Sequence, residues 1–366
     1  MKNRIIISGG GTGGHIYPAI AIANELKRQN PDLEILFVGA KEKMEMQIVP
    51  KAGYDIVGLP VRGLQRKITF RNFITIWQLF ISLIKSYRLI NKFKPSAVVG
   101  VGGYASAPIS YIASLKNIPV ILQEQNSYPG ITNKILSKRA KKICVAYNDM
   151  ERFFEEKKLV LTGNPIRQDL LHIEQTKEDA KKYFNIEVDK KIISIIGGSL
   201  GARSLNESVL AAIDLIGKNK DIHIIWQTGS YYYNEITERM SNMNIPNLHV
   251  YKYLDRMDLV YKASDLIVSR AGACSISELA LIEKSAILVP SPNVSEDHQT
   301  KNATALSSKG AAILIKDSDA KEQLISTAIE TVLDEDKLIS LSTKIKEFAM
   351  KDSAKEISEI IINEIK

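Results

Sequence analysis

Cysteine is scarce in this sequence, and its scarcity excludes several classes of protein. Only Cys144 and Cys274 occur among 366 residues, and no C-x-x-C spacing is present, so neither a disulfide framework nor a structural zinc site is predicted. The five histidines, at positions 15, 172, 223, 249 and 298, include no pair spaced four residues apart to share a metal ion. We therefore expect a reducing compartment, no bound metal and no cofactor.

Long apolar runs are also absent. The longest uncharged apolar stretch, residues 73–84, has 12 residues, fewer than the roughly 18 to 20 that a membrane-spanning helix needs. Residues 4–8 predict a buried strand leading into a glycine loop rather than a secretory signal. Hydrophobic residues at 45% and charged residues at 25% are typical of a globular protein, and the length predicts two or three domains.

Charge is unevenly distributed along the chain. Residues 1–165 carry 24 lysine and arginine residues against 11 acidic ones, a balance of +13, whereas the remainder carries 25 against 30, a balance of −5. A basic N-terminal half favours an anionic partner, which would be nucleic acid, an anionic lipid surface or a phosphate-bearing substrate. The alternative is that these are ordinary solvated lysines.

Short apolar runs alternate with helical patterns, which is typical of parallel α/β sheets. Strands are predicted in two sets, first at residues 4–8, 34–38, 97–101, 120–123 and 142–145, then at 191–196, 221–227, 248–251, 266–269, 286–289 and 311–315. A hinge is predicted near residues 163–165, where glycine and proline interrupt the pattern and the charge balance changes sign. The sequence therefore predicts domains 1–163 and 164–340. It also predicts a C-terminal helix in 341–366, which could pack on either domain, including a return to the N-terminal one.

The first glycine-rich loop is a candidate anion site. Residues 9–15 read GGGTGGH, so backbone N–H groups are expected to meet a phosphate at the positive end of the next helix, predicted over residues 19–28. A dinucleotide enzyme would need an acidic side chain after the second strand, but residues 37–41 read FVGAK, so that alternative is disfavoured. His15 is a candidate general base, or only a residue at the start of a helix.

Two later segments predict further ligand contacts. Residues 197–203, GGSLGAR, lie between a strand and a helix predicted over 205–216, which favours a second phosphate cradle but lacks the Gly-Lys-Ser/Thr of a P-loop. Residues 269–278, SRAGACSISE, offer small side chains that leave room for a flat ring. Glu278 is predicted in the first turn of a helix beginning near Ser275, either to accept ribose hydroxyls or only to interact with the helix dipole.

Two polar segments have alternative interpretations. Residues 290–303 predict a polar loop with groups that bind a sugar, or else ordinary surface. Asp317, Ser318 and Asp319 resemble the Asp-x-Asp of metal-dependent sugar transferases but are predicted as a polar turn.

Residues 73–84 predict an amphipathic membrane-surface helix. Basic side chains flank this apolar stretch, namely Arg66, Lys67, Arg71, Lys85 and Arg88. Such a segment is expected to rest on an anionic membrane surface, the alternative being a helix buried between domains.

These motifs together resemble the MurG family of bacterial UDP-N-acetylglucosamine transferases, over residues 4–350. The resemblance is carried by residues 9–15, 102–104, 123–126 (QEQN), 163–167 (GNPIR), 197–199 and 273–278. It implies an α/β GT-B fold of two Rossmann-like domains with parallel sheets facing across a cleft, and no required metal. It also implies transfer of GlcNAc from UDP-GlcNAc to the 4-hydroxyl of the MurNAc in undecaprenyl-pyrophosphoryl-MurNAc-pentapeptide, with inversion.

The resemblance also implies roles for individual residues. UDP-GlcNAc would be bound by Thr12, Gly13, Gly14, Asn126, Arg167, Ser199, Leu254, Glu278 and Gln299. The acceptor pyrophosphate would meet the loops at 9–14 and 102–104, including Gly103 and Tyr104, and His15 would be the general base. Arg167 and the Ser199 loop would stabilise the leaving UDP. The sequence departs from many relatives at Leu200 and at His298, which precedes Gln299.

The expected partners and location follow from the same resemblance. The N-terminal domain would face the acceptor and an anionic membrane surface, the second domain would bind UDP-GlcNAc, and no nucleic acid partner is expected. The protein would act as a peripheral protein at the cytoplasmic face of the cell membrane. Two alternatives remain, an oxidoreductase that binds a dinucleotide at the first loop and another GT-B transferase that glycosylates a lipid with the same donor.

Overall fold

The computed structural model describes residues 3–63, 70–166, 170 and 173–365. The chain divides into two compact units. The first contains Met1–Arg167 and Asp352–Lys366, and the second contains Gln168–Lys351.

The first unit is built on a parallel sheet with the strand order β3-β2-β1-β4-β5-β6-β7. Its strands are β1 (Arg4–Ser8), β2 (Glu34–Ala40), β3 (Asp55–Leu59), β4 (Ala97–Gly100), β5 (Val120–Glu124), β6 (Lys142–Val145) and β7 (Leu159–Leu161). Its helices up to residue 137 are α1 (Gly13–Gln29), α2 (Glu45–Lys51), α3 (Phe70–Phe93), α4 (Ala107–Leu115) and α5 (Ile131–Ser137). The sequence did not predict β3 and β7, which are edge strands of five and three residues and are only partly buried.

Alternate side chains of the central strand enter two different cores. Ile6 packs into one hydrophobic cluster, whereas Ile5 and Ile7 pack into another that includes Ile16 and Leu26 of α1. All three isoleucines of β1 are fully buried. A strand buried on both faces is typical of a parallel sheet covered by helices on both sides.

The second unit repeats this architecture with the strand order β10-β9-β8-β11-β12-β13, again parallel. Its strands are β8 (Lys191–Ile196), β9 (Ile222–Gln227), β10 (Leu248–Tyr251), β11 (Leu266–Ser269), β12 (Ala286–Leu288) and β13 (Ile313–Leu314). Its helices are α6 (Lys177–Tyr183), α7 (Arg203–Ala211), α8 (Ile213–Lys218), α9 (Tyr233–Met240), α10 (Met257–Ala263), α11 (Ala273–Leu281), α12 (His298–Ser307), α13 (Ala320–Leu333) and α14 (Glu335–Lys346). The predicted α/β class with two Rossmann-like domains is confirmed.

Three helix predictions were wrong in detail. The helix predicted over residues 205–216 is divided at Ala212 into α7 and α8. Residues 290–303 were predicted as a loop, but α12 begins at His298. The predicted C-terminal helix is two helices, α14 and α15 (Ser353–Glu364). Only α15 returns to the first unit, whereas residues up to Lys351 belong to the second.

The last helix completes a core of the first unit. Ile357 and Ile361 of α15 are fully buried in the cluster that contains Ile16 and Leu26 of α1. Across the part of the chain that the structure describes, no helix is both long enough and apolar enough to cross a membrane.

Candidate active site

The two sheets place the glycine-rich loops at equivalent points. In the first unit β1 lies between β2 and β4, and in the second β8 lies between β9 and β11. The strand order therefore reverses direction between β1 and β4 and between β8 and β11. Ligands of open parallel sheets bind beyond the carboxyl ends of the strands at such switch points. The loops at residues 9–12, 101–103, 197–202 and 270–272 follow these four strands.

Helix α1 begins inside the first glycine motif rather than after it. Gly13, Gly14 and His15 form its first turn, and Thr12 precedes it in an extended conformation. The first turn contains no acidic residue, and the Thr12 side chain makes no capping hydrogen bond to the helix. Three of the residues that the sequence predicted to bind substrate therefore lie at the positive end of the α1 dipole.

His15 lies where two glycine loops meet. Its Nδ1 is 3.1 Å from the hydroxyl oxygen of Thr12. Its ring packs on Gly102, where a Cβ atom would lie 2.8 Å from the ring Cδ2, and a Cβ on Gly103 would lie 2.5 Å from the Gly10 carbonyl oxygen. Glycine at 102 and 103, both at positive φ, thus lets the loop after β4 approach His15.

Tyr104, which follows the loop after β4, packs against the first glycine loop. Its ring contacts Gly11, where a Cβ atom would lie 3.4 Å from the ring Cε1. Burial raises the pKa of the Tyr104 phenol, and the nearby charge of Glu45 raises it further. The structure thus brings together Thr12, Gly13, Gly14, His15, Gly103 and Tyr104.

Sequence reasoning overlooked Glu45, a buried acid at the start of α2. Its carboxylate accepts the Gly11 N–H at 3.1 Å and the Ala40 N–H at 2.9 Å. An acidic residue therefore does lie near the end of β2, but it binds the loop backbone and is fully buried. Such an acid is not available to bind the ribose of a dinucleotide.

A second overlooked acid, Glu124 at the end of β5, organises the segment that contains Asn126. Its Oε1 accepts both the backbone N–H and the side-chain amide of Asn126, at 3.0 and 3.1 Å. Its Oε2 accepts the Gly130 N–H and the Asn133 amide. Burial raises the pKa of Glu124, and these hydrogen bonds oppose that rise. Glu124 thus holds Asn126 at the carboxyl edge of the sheet.

The second glycine loop folds against the segment that follows β9. A Cβ atom on Gly201 would clash with the Thr228 carbonyl oxygen, and one on Gly229 would clash with the Gly201 backbone, so both positions require glycine. Ser199 is exposed, and its carbonyl accepts the Ser230 N–H at 3.0 Å. Helix α7 starts directly after this loop and has no acidic residue in its first turn.

A cavity of about 570 Å³ opens at the N-terminus of α7. Its lining includes Gly197, Ser204, Arg270, Ser291, Gln299 and Asp317. Of the residues that the sequence assigned to the donor, Gln299 lines this cavity, whereas Ser199, Leu254 and Glu278 lie outside its lining.

An ion pair inside the cavity explains the polar segment after β13. Arg270 donates from Nη1 to Asp317 Oδ1 at 2.5 Å and from Nη2 to the Ser204 hydroxyl at 3.0 Å. Its Nη1 also reaches the Val289 and Pro290 carbonyls. Asp317 therefore fixes a cation beside α7, an interaction that sequence spacing gave no means to predict.

Leu254 and Gln299 are held by their backbone and side-chain partners. Leu254 is buried, and its N–H donates to Gln227 Oε1 at 3.0 Å. Gln299 lies at the start of α12, and its Oε1 accepts the Ser291 N–H at 2.8 Å. The rest of its side-chain amide can therefore serve a ligand only as a donor or through its second lone pair.

Glu278 lies in the second turn of its helix, not in the first as predicted. Helix α11 begins at Ala273, two residues earlier than expected, and its first turn contains no acidic residue. The helix dipole acts mainly within the first turn, so a dipole role does not account for Glu278. The Tyr261 hydroxyl donates to Glu278 Oε2 at 2.8 Å and orients the carboxylate.

Several predicted residues lie outside the described residues. They are Arg167, a predicted donor contact, and Arg66 and Lys67 of the basic flank. The side chains of Arg71 and Phe73 are likewise not described.

Comparison with known proteins agrees with this geometry. The glycosyltransferase family 28 N-terminal domain matches residues 5–145, and the family's C-terminal domain matches residues 192–357. Two curated relatives have the name UDP-N-acetylglucosamine--N-acetylmuramyl-(pentapeptide) pyrophosphoryl-undecaprenol N-acetylglucosamine transferase. The relative from Bacteroides thetaiotaomicron is 51% identical over 98% of this chain and 97% of its own length. The relative from Phocaeicola vulgatus is 53% identical over 97% of this chain and 94% of its own.

A solved structure extends the likeness to the fold. The crystal structure of Acinetobacter baumannii MurG is 27% identical, covers 99% of both chains and superposes with a TM-score of 0.79. The expected GT-B class is thereby confirmed. From the two domain matches and from relatives at about half identity over nearly the whole chain, this protein belongs to glycosyltransferase family 28.

Proposed function

We propose that this enzyme transfers GlcNAc from UDP-GlcNAc to the MurNAc 4-hydroxyl of undecaprenyl-pyrophosphoryl-MurNAc-pentapeptide, with inversion at the anomeric carbon. The observation that carries the proposal is identity above 50% to two transferases of that name over nearly the full length of each chain. The two loop-and-helix sites at the sheet switch points supply what a diphosphate donor and a pyrophosphate acceptor require.

In this proposal the second unit binds the UDP part of the donor. The donor contacts that the resemblance implies for Thr12, Gly13, Gly14 and Asn126 stay predictions. Glu278, oriented by Tyr261, accepts the ribose hydroxyls, while Leu254 lies beside the base and Gln299 contacts the sugar. The diphosphate lies near Ser199 and the N-terminus of α7.

Departure of UDP places negative charge on the phosphate oxygens. Arg270 is held beside α7 by Asp317 and Ser204, and its positive charge stabilises these phosphate oxygens. Arg167 has the same predicted role and lies outside the described residues.

The acceptor site belongs to the first unit. The acceptor pyrophosphate meets the glycine loops at 9–14 and 102–104, where Gly103 and Tyr104 lie. In the tautomer that carries its proton on Nδ1, beside the Thr12 hydroxyl, His15 takes the proton from the MurNAc 4-hydroxyl at Nε2 as the hydroxyl attacks.

The test is to incubate the protein with UDP-GlcNAc and a polyprenyl-pyrophosphoryl-MurNAc-pentapeptide and to measure UDP release. Sugar transfer to this acceptor is expected. Transfer to a different lipid acceptor but not to this one would instead favour the second candidate, another lipid glycosyltransferase of the same fold.

A membrane-facing surface on α3 is part of the proposal. On this helix Ile76, Trp77 and Phe80 are 58%, 63% and 54% exposed, whereas Ser82 and Ser86 are fully buried. Exposed apolar and buried small polar side chains reverse the usual pattern of a helix on a globular protein. Exposed Lys85 and Arg88 extend the same helix. Together they support peripheral binding of the first unit to an anionic surface, at the cytoplasmic face of the cell membrane.

Vesicle binding tests this surface. Wild-type protein is expected to cosediment with anionic vesicles at low salt, and Trp77→Ser with Phe80→Ser is expected to reduce that fraction sharply, because inserted aromatic area is lost. The matched control is Leu333→Ser with Ile339→Ser, which removes two exposed apolar side chains from the second unit. UDP binding should be equal in all three proteins. Equal cosedimentation of wild type and the α3 variant would remove α3 from membrane contact.

A further inference from the structure

The carboxylate of Glu45 is embedded beneath the first glycine loop. Glu45 is 0% exposed, although the four residues before it are all exposed. Its two oxygens serve different elements: Oε2 accepts the N–H of Gly11 in the loop, and Oε1 accepts the N–H of Ala40 at the end of β2. One carboxylate therefore connects the loop to the neighbouring strand.

Two glycines of the sequence make room for this carboxylate. A Cβ atom on Gly10 would clash with Glu45 Oε1, and one on Gly39 would lie 2.6 Å from Glu45 Cγ. Neither glycine has a positive φ, so backbone conformation does not require glycine at these positions. Part of the glycine richness of the loop thus serves Glu45 rather than a ligand.

The position of the carboxylate has a chemical consequence. Glycine loops of this kind usually offer their N–H groups to a ligand phosphate. Here the Gly11 N–H already donates to an anion of the chain itself. A phosphate approaching the same N–H would meet a buried negative charge, which is strongly unfavourable at short range. The acceptor pyrophosphate of the proposed function is therefore expected at the N-terminal turn of α1 and at the loop of residues 102–104, not at the Gly11 N–H.

We propose that Glu45 is a positioning residue of the first glycine loop. It occupies the Gly11 N–H in place of a ligand phosphate, excludes a dinucleotide from that point, and fixes the segment that presents Thr12 and His15 to the acceptor. The proposal rests on the acceptor role proposed for this loop.

Glu45→Gln tests the proposal with a side chain of nearly the same size. Its amide presents one acceptor and one donor to two N–H groups, so the Gly11 or the Ala40 bond is lost. We expect the acceptor KM to rise roughly tenfold, as for loss of a buried charge-assisted hydrogen bond, while affinity for UDP changes less than about twofold. The matched control is Glu42→Gln, which removes an equal charge from an exposed position three residues earlier and should behave as wild type.

Gly39→Ala gives an independent displacement of the same carboxylate, because its new Cβ atom meets Glu45 Cγ. The same rise in acceptor KM with unchanged UDP affinity is expected. Hydrogen exchange of residues 9–14 should be faster in both variants than in wild type.

The outcomes separate this inference from the proposed function. If both variants keep the wild-type acceptor KM and exchange rates, or if UDP affinity falls as much as acceptor affinity, Glu45 is not a positioning residue. If the wild type transfers no sugar to the acceptor, the proposed function fails, and hydrogen exchange alone still decides whether Glu45 fixes the loop.

Discussion

The two glycine-rich loops look alike in sequence and are used differently in the structure. The loop of the first unit has its Gly11 N–H filled by Glu45 and is followed by His15 in the first turn of α1. The loop of the second unit leads into α7 beside a cavity that contains the fixed cation Arg270. The first loop is stabilised by the Glu45 carboxylate and is followed by His15, which can accept a proton. The second loop lies beside the cavity and beside the positive charge of Arg270. The contrast favours catalysis at the first loop and donor binding at the second.

The largest expected effect is a loss of kcat on substitution of His15, which follows the first loop. His15→Ala should lower kcat by roughly 100-fold or more, because a general base acts on the acceptor proton in the transition state. UDP affinity, measured by titration calorimetry, should stay near the wild-type value. Thr12→Val removes only the hydroxyl next to Nδ1 and should lower kcat less than His15→Ala does. A loss of less than about tenfold in kcat would remove His15 from the chemistry.

Glu278 of the second unit should show the opposite pattern, with a loss of UDP affinity. Glu278→Ala should weaken UDP binding by about 1.5 to 3 kcal/mol, because a charged acceptor of ribose hydrogen bonds is lost. The fold should survive, since the side chain is only partly buried. Tyr261→Phe, which removes the phenol that orients Glu278, should have a smaller effect in the same direction. Wild-type UDP affinity in a folded Glu278→Ala protein would contradict the ribose assignment.

A smaller effect, on the KM for UDP-GlcNAc, tests the role of the cavity beside α7. Asp317→Asn should raise the KM for UDP-GlcNAc roughly threefold to tenfold, because Arg270 loses its charged partner and its fixed orientation. The acceptor KM should not change. Asp319→Asn at the same turn removes an equal charge that does not contact Arg270 and serves as the control. Equal donor KM values in both variants would show that Arg270 needs no such partner.

The smallest expected effect concerns stability and lies away from both loops. His223 Nδ1 and His249 Nε2 are 2.9 Å apart on neighbouring strands β9 and β10. Burial lowers the pKa of both rings, and the Glu187 carboxylate opposes this for each. The unfolded chain therefore binds protons more readily than the folded one. The two histidines should leave the free energy of unfolding undiminished above the ordinary histidine pKa of 6.5, and should lower it as the pH drops below that value.

Thermal unfolding between pH 7.5 and 5.0 measures this dependence on the wild type and on His223→Gln with His249→Gln. The variant should lose part of the slope in this range. An unchanged slope would show that other groups govern the acid stability of the second unit.

Local sequence pattern predicted the repeated strand-and-loop scheme, because isoleucine-rich strands such as β1 and β8 are buried on both faces. It failed where long-range packing decides. Glu45 follows β2 at an unremarkable spacing, and only the folded chain shows that its carboxylate lies against Gly10 and Gly39. The Arg270 to Asp317 pair joins residues 47 apart, so no spacing rule could find it.

Helix beginnings were a second kind of failure. Glycine lowers helix propensity, so the glycines at 13 and 14 predicted a loop, yet α1 starts there. Similarly, the polar residues before Thr300 hid the start of α12 at His298. In both cases the structure places on a helix a residue that the sequence had placed in a loop.

The return of α15 to the first unit makes the second unit an insertion within the sequence of the first. During synthesis the ribosome releases all of Gln168–Lys351 before it releases the residues that cover Ile16 and Leu26. The C-terminal unit can therefore finish folding while the N-terminal unit still exposes an apolar face, the reverse of the usual order along a nascent chain. Removal of the last 15 residues would consequently damage the half of the protein that is made first.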